Sequence, residues 1–392
     1  MTDYEQNFFP CDIAVVGAGV SGVPAAVAAA RAGAKVVLVE KRPVIGGTMC
    51  AGLGFPVCGL FESDTGKPPR LLNHGLAEEL SQTVLAEDAQ AVERMGRVYV
   101  LRCTAERFSA VYRDWLDDIP NVRLFTLISA LKVEERSDRI SAITFQSANG
   151  ELVRAEPRTV IDCTGSAAVV QATSAECIEP KKPPLAGFAL RIRNVVLDDL
   201  LPLKVPYTLQ QVAEAEKLPP LSRFTVFTPG PPGSGCGICK ISVPADTEGS
   251  AATRLAEKVF KVLCEALPEF CDAELIETSP AVLQREGIRI KGEYILTEDD
   301  VYTSRWFDDA AARGGWPMEY WDSEKGPQYR FAKEERGYDI PLRALRSVNI
   351  HNLWAAGRAI SADSAALASV RVIGTAIATG EAAGLTAAKE LL

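Results

Sequence analysis

Residues 11–40 read CDIAVVGAGVSGVPAAVAAARAGAKVVLVE. The apolar run Ile13 to Val16 is too short for a helix and leads straight into Gly17, Gly19 and Gly22, spaced G-x-G-x-x-G at a strand-to-helix turn. Gly17 permits the tight turn, Gly19 lets backbone approach a pyrophosphate, and Gly22 lets the helix pack close on the strand. Val20 and Ser21 lie at the helix N-terminus, whose unpaired N–H groups suit phosphate charge. An alanine-rich helix follows, and then a second strand, Lys35 to Val39. Glu40 ends that strand about twenty residues past the glycines, where a carboxylate accepts from both ribose hydroxyls. A 2'-phosphate is repelled there, which argues against NADP. Strand, glycines, helix, strand and acid in that order read as one dinucleotide-binding βαβ unit.

The 392 residues exceed one simple domain, and 47% apolar with 24% charged residues is ordinary globular composition. A net charge of −9 argues against nucleic-acid or anionic-membrane partners. The N-terminal MTDYEQNFFPCD lacks an apolar signal core, and no window is long and apolar enough to span a bilayer. Ten scattered cysteines fit a reducing cytoplasm rather than a disulfide scaffold, and no metal site is expected.

FAD is longer than NAD and needs several separated holds, which this chain offers. KRPVIGGTMC, Lys41 to Cys50, follows the acid, and its Gly46-Gly47 pair lets backbone pass close to the ribityl chain and flavin. Lys41, Thr48 and Met49 join Gly46 and Gly47 as candidate cofactor contacts. The stretch 121–165 is a series of β-patterned runs with a turn at Asn149-Gly150, ending in a strand that enters Asp162-Cys163-Thr164-Gly165. Thr164 and Gly165 can close over the cofactor. Toward the C-terminus, the strand Leu353 to Ala356 ends at Gly357-Arg358, and a helix beginning near Val372 aims the dipole of Ile373, Gly374 and Thr375 at the flavin pyrimidine.

With these pieces, the chain resembles the FAD-dependent oxidoreductases of the large flavoprotein superfamily that includes fumarate reductases and aromatic hydroxylases. VVGAGVSGVPAAVAAARAGAKVVLVEK with IGGTMCAGLG, the run 285–317, and the run 339–384 carry the resemblance. It implies bound FAD, a discontinuous FAD domain and an inserted substrate domain. Relatives often carry a histidine after GR-x-I-S, where this chain reads Ala362-Asp363-Ser364. They often end the Arg-Gly-Gly segment in histidine, where it reads Trp316-Pro317-Met318-Glu319-Tyr320-Trp321. Mechanisms built on those histidines do not carry over.

Only two histidines are present. His351 sits in a polar turn, which favours a surface role; His74 lies near a helix start beyond the loop expected at the flavin. A histidine-poor site shifts the work to arginines and the flavin. Arg285, Arg289, Arg343, Arg358 and Arg371 lie in the family-like segments, and guanidinium groups bind carboxylates bidentately while staying charged. Such groups suit an acidic substrate or a developing flavin anion; alternatively Arg285 and Arg289, four apart, pair with Glu286, Glu293 or the cofactor phosphates. The candidate catalytic set is Arg289, Arg371, Arg285, Cys50 and His74. Cys50 either faces the isoalloxazine ring or is a small buried thiol. Cys236-Gly-Ile-Cys239 reads as loop thiols or a redox pair. Trp306, Trp316, Tyr320 and Trp321 either wall a substrate pocket or pack under the insertion.

The expected fold is α/β: a Rossmann-like FAD-binding domain with a parallel sheet and β-meander, 1–177 and 337–392, and an inserted mixed substrate domain, 178–336, entered at the helix- and strand-breaking stretch around Pro180 to Pro184. The expected activity is hydride transfer between a small organic substrate and FAD, with an unidentified electron acceptor or O2. A flavin monooxygenase acting on a peptide or protein residue is one alternative, and a non-catalytic flavin-binding interaction protein another. A homo-oligomer is compatible with this reading.

Overall fold

A computed structural model describes residues 8–54, 56–63, 66–147, 150, 152–231 and 233–392. Asn149 of the expected meander turn lies outside the described residues, beside Gly150 at φ +89°.

Five short strands form a parallel sheet: β1 (Ile13–Val16), β2 (Val36–Val39), β3 (Val122–Phe125), β4 (Thr159–Asp162) and β5 (Leu353–Ala355), in the order β5-β4-β1-β2-β3. Ile13 pairs with Thr159 on one side and Val36 on the other, so β1 is central. Its four residues are all buried, as a strand covered on both faces requires. Alternation then divides them. Ile13, Val15, Val36 and Leu38 join one cluster with helices α1 (Gly22–Arg31) and α2 (Ile373–Lys389), whereas Ala14, Val16, Val37 and Val39 join another with Ile140, Ile143 and Phe145. The second layer is the meander: strands Ile128–Arg136, Arg139–Ser147 and Leu152–Ala155, with Phe8–Phe9 added parallel at its edge. This three-layer arrangement leaves the C-terminal ends of the parallel strands free for a ligand.

The insertion carries its own core. Strands Val226–Pro229, Gly237–Val243, Ala186–Arg193 and Glu274–Thr278 form an antiparallel sheet in that order. Helices Leu201–Glu214 and Gly249–Ala266 cover it, burying Phe188, Leu190, Leu201, Val259 and Phe270 in a cluster spanning 186–270. Chain entry and exit are stitched together where Cys177 and Ile178 pair with Ile290 and Arg289. Beyond that point the chain returns to the main body: Leu296, Val301, Met318 and Ile340 lie in the larger core. The hairpin Met318–Asp322 with Gly326–Arg330 bridges the two parts, since Leu185 N–H donates to Trp321 carbonyl at 3.1 Å.

Candidate functional site

The glycine turn is held against three remote segments. Gly17 has φ +99°, and a Cβ there would lie 2.7 Å from the Cys163 carbonyl oxygen, so only glycine lets β1 and β4 end side by side. A Cβ on Gly47 would come 2.7 Å from Gly19 Cα, which puts the Gly46-Gly47 loop on the glycine turn. Gly357, at φ +66°, abuts Ser21, and Arg358 Nε donates to the Gly165 carbonyl at 2.7 Å. The stretches expected to hold FAD therefore converge on one place.

Two features of this place suit a dinucleotide. Glu40 is buried at the end of β2, where Oε2 accepts from Ala18 N–H at 2.9 Å and Oε1 from Arg42 N–H at 3.0 Å. The carboxylate is thereby fixed at the turn with lone pairs to spare for ribose hydroxyls. At the N-terminus of α2, Thr375 is fully buried and its hydroxyl has no hydrogen-bond partner. Buried hydroxyls are usually partnered, and a ligand oxygen or nitrogen at this helix start would fit the free one. Gly374 N–H donates to the Cys58 carbonyl at 2.8 Å, tying the helix start to the loop after Gly47. Asp162 fastens the β4 turn by accepting from Thr164 N–H and hydroxyl at 3.0 and 2.7 Å and from Val169 N–H at 2.8 Å. Lys41 and Thr48 are exposed, Ile373 is half-buried, and Val20 is buried with its carbonyl accepting from Tyr112 hydroxyl at 2.8 Å. Met49 is completely buried, so its side chain serves the core.

A cavity of about 190 Å³ opens beside this end of α2, between insertion and main body. Arg371, immediately before the α2 cap residue Val372, lines it together with Arg285, Glu319 and Trp321. Trp316 Nε1 donates to Glu319 Oε2 at 3.0 Å, and Trp321 Nε1 donates to Oε1. Arg285 stacks its guanidinium 3.9 Å from the Trp321 ring centroid, and Lys240 Nζ stands 5.1 Å from the same ring. Arg371 donates to the Glu319 carbonyl at 3.0 Å, and Arg285 to the Leu185 carbonyl. Burial and then Arg285 push the Lys240 ammonium down to about 8, and burial and then Arg371 push Arg285 down to about 9. Burial opposes ionisation of Glu319, yet Lys240, Arg371 and the indole donors hold its carboxyl below the ordinary value.

Of the candidate catalytic residues, the fold brings together Arg285 and Arg371. Arg289 lies outside this group: it is buried and committed to Glu286 at 2.8 Å and the Ala362 carbonyl at 2.9 Å. Cys50 donates to the Ile45 carbonyl at 3.2 Å, and burial raises its thiol to about 11. His74 is 81% exposed and pairs with Glu78 one turn along its helix at 3.0 Å. Arg343 pairs with Asp309, and Trp306 is exposed between Arg313 and Arg336. All ten cysteines are free thiols; Cys239 is buried in the inserted core, and Cys236 precedes its strand. Where relatives often place histidine, Asp363 caps the helix Ser364–Val370 and Ser364 hydroxyl donates to Glu286 at 2.6 Å. Sequence reasoning missed Lys240 and Glu319. Glu319 stood among aromatic residues already singled out, where an acid flanked by indole donors was the available signal.

A family model described as FAD dependent oxidoreductase matches residues 12–184 and 239–391. The chain belongs to the FAD dependent oxidoreductase family. Its cofactor is FAD, and it is an enzyme. The match omits 185–238, the first part of the separately packed insertion. Among curated proteins, sarcosine oxidase subunit alpha of Rhizobium meliloti (strain 1021) is 46% identical over 46 residues, 12% of this chain and 5% of that protein. Among solved structures, a flavoprotein/dehydrogenase from Cytophaga hutchinsonii is 12% identical with a TM-score of 0.53, covering 98% of this chain and 79% of that one. A geranylgeranyl bacteriochlorophyll reductase-like protein from Thermoplasma acidophilum is 15% identical with a TM-score of 0.50, covering 97% and 78%. At these identities the likeness is one of fold. Among the described residues no helix is long and apolar enough to cross a membrane, and no group of three His, Cys, Asp or Glu gathers to hold a metal ion.

Proposed function

We propose that this family member transfers hydride between a small organic substrate and FAD, with the substrate held in the cavity between the insertion and the main body. The supporting observation is the position of that cavity: Arg371 in its wall directly precedes the helix whose buried, unpartnered Thr375 hydroxyl awaits the cofactor. Gly17, Gly19, Ser21, Gly47 and Glu40 would hold the nucleotide end, and Gly165, Gly357 and Thr375 the flavin end. FAD supplies two-electron redox chemistry when bound. The protein's part is to position the substrate, with Leu185, Trp321, Leu367 and Ala368 giving the cavity its apolar lining. In this scheme the insertion, which ends near Ile290 rather than at the expected 336, provides the substrate side together with the hairpin Met318–Arg330, an electron acceptor or O2 returns the flavin to its starting state, and the reducing cytoplasm is where it works. Ten free thiols support that placement. The test is anaerobic mixing of the purified holoenzyme with a panel of small alcohols, amines and acids. Loss of the flavin's visible absorbance with one of them is expected. Oxygen incorporated into a product, with no anaerobic bleaching by that compound, points instead to a monooxygenase.

A further inference from the structure

The helix Leu201–Glu214 of the insertion is apolar on two faces. Leu201, Val205, Leu209 and Ala213 recur every fourth residue and are buried in the insertion's core. Leu200, Leu203 and Tyr207, spaced three and four apart, lie exposed on another face, and Val196 lies exposed just before them. These four are 58–68% exposed, and apart from the C-terminal Leu392 they are the most exposed large apolar side chains among the described residues. A surface helix ordinarily turns polar residues to water. The helix Gly249–Ala266, which covers the same sheet, does so with Arg254, Glu257, Lys258, Lys261 and Glu265. Two helices of one layer thus differ in outer chemistry, and a clustered apolar stripe of this kind marks a contact surface.

Charge at the border of the stripe decides what fits it. From 196 to 217 the acids are Asp198, Asp199, Glu214 and Glu216, and the bases are Lys204 and Lys217. Lys204 is shared between Asp198 at 2.6 Å and Glu269, and Glu214 accepts from Gln210 at 2.9 Å. Asp199 and Glu216 are exposed, with Lys217 the remaining base on this stretch. Arg223, on the short turn Pro220–Phe224 packed beside the helix, donates to the Glu324 carbonyl at 2.9 Å. The border is therefore net acidic. We propose that this face docks an amphipathic helix of another protein, one whose apolar stripe is bordered by lysine or arginine. Leu200, Leu203 and Tyr207 have the spacing by which helices read one another, and Tyr207 supplies the aromatic area that anchors such contacts. Anionic lipid is repelled by the same acids, and a second copy of this chain would set acid against acid. The inference concerns the insertion's surface and does not rest on the reaction at the flavin.

The test follows the fluorescence anisotropy of a labelled synthetic peptide of leucine and lysine, patterned as an amphipathic helix, on titration with the holoenzyme. A counterpart with every lysine replaced by glutamate is the control. The lysine peptide is expected to bind at least about tenfold tighter than the glutamate peptide. Leu203→Ser combined with Tyr207→Ser, with FAD content and thermal midpoint unchanged, should weaken the lysine peptide at least about tenfold. Asp199→Asn combined with Glu216→Gln should weaken it in low salt and much less in high salt. The second pair alters exposed charges only, so it gives an answer even if the first pair prevents folding. Affinity unchanged by either pair of substitutions, or a glutamate peptide that binds as tightly, overturns the proposal. A holoenzyme dimer that Leu203→Ser with Tyr207→Ser dissolves would hand the face to a second copy. Partition onto phosphatidylcholine vesicles that the same pair abolishes would hand it to a lipid surface, and either result overturns the proposal.

Discussion

Thr375 sits fully buried with its hydroxyl unpaired, which costs roughly 1–3 kcal/mol in the absence of a partner. Valine has the same shape and no hydroxyl. Thr375→Val is therefore expected to leave the FAD-free protein as stable or slightly more stable, while weakening FAD roughly two- to tenfold, measured by thermal unfolding of the apoprotein and FAD titration. Unchanged FAD affinity would show that the hydroxyl does not serve the cofactor. Lys240 makes a different kind of demand. Its proton is lost near pH 8 in the folded protein and near its ordinary 10.5 in the unfolded chain, so between those values the unfolded state binds more protons and rising pH favours folding. The stability gap between Lys240→Met and the unmodified protein should accordingly shift in favour of the unmodified protein from pH 7 to pH 10. Burial lowers this value most, Arg285 and Arg371 lower it further, and Glu319 and Cys58 oppose them. Lys240 shows why single residues were hard to find in the sequence: in CGICKIS its neighbours suggest a β-strand, and nothing local says that its ammonium stands 5.1 Å from the ring of Trp321, some eighty residues on.

At the scale of elements, the pair α1 and α2 shows what a sequence pattern can and cannot specify. The glycine turn, both flanking strands and the Ala-rich helix were evident from spacing, because each residue type answers to a constraint within thirty positions. The closeness of α1 to α2, some 350 residues on, was not. It depends on Gly380 and Gly384, where a Cβ would lie 2.1 Å from the Ser21 carbonyl oxygen and 2.0 Å from that of Ala25. Their four-residue spacing puts both on one helix face, and backbone packs directly on backbone. Gly384→Ala should push the helices apart and cost roughly 1–3 kcal/mol in denaturant unfolding, with Gly380→Ala similar. Gly249→Ala, on a helix where no atom lies within 4 Å of the new methyl, should be neutral or slightly stabilising. Equal effects at Gly384 and Gly249 would mean that helix propensity, not the crossing, decides. The insertion was harder to read for a related reason. Its strands pair as Ala186–Arg193 with Gly237–Val243 and Glu274–Thr278, so two long helices separate partners in sequence.

The whole molecule is a main body built around the cofactor and an insertion that is not. Segments near residues 17, 47, 165, 357 and 375 meet at one place, and a cofactor bound there, as proposed, would tie together pieces that chain connectivity alone leaves far apart. The cluster at 186–270 contains none of them. FAD stabilises whatever binds it by mass action, about 2.7 kcal/mol at a hundredfold excess over Kd. That gain should be local to the main body. On removing FAD, hydrogen exchange is expected to quicken in the glycine turn, in 46–52, in 163–165 and at the start of α2. The strand Gly237–Val243, whose Cys239, Ile241 and Val243 are buried in the separate core, should keep its protection. A uniform loss across both parts would instead make the molecule one cooperative unit. Lys240 stands on that same strand, with Nζ 5.1 Å from the Trp321 ring, so the expected pattern also separates two sources of order around Trp321. On that pattern the backbone at Arg371, just before α2, would lose protection with the cofactor, while that at Lys240, on a strand of the insertion's own core, would keep it, because the two elements draw their stability from different cores.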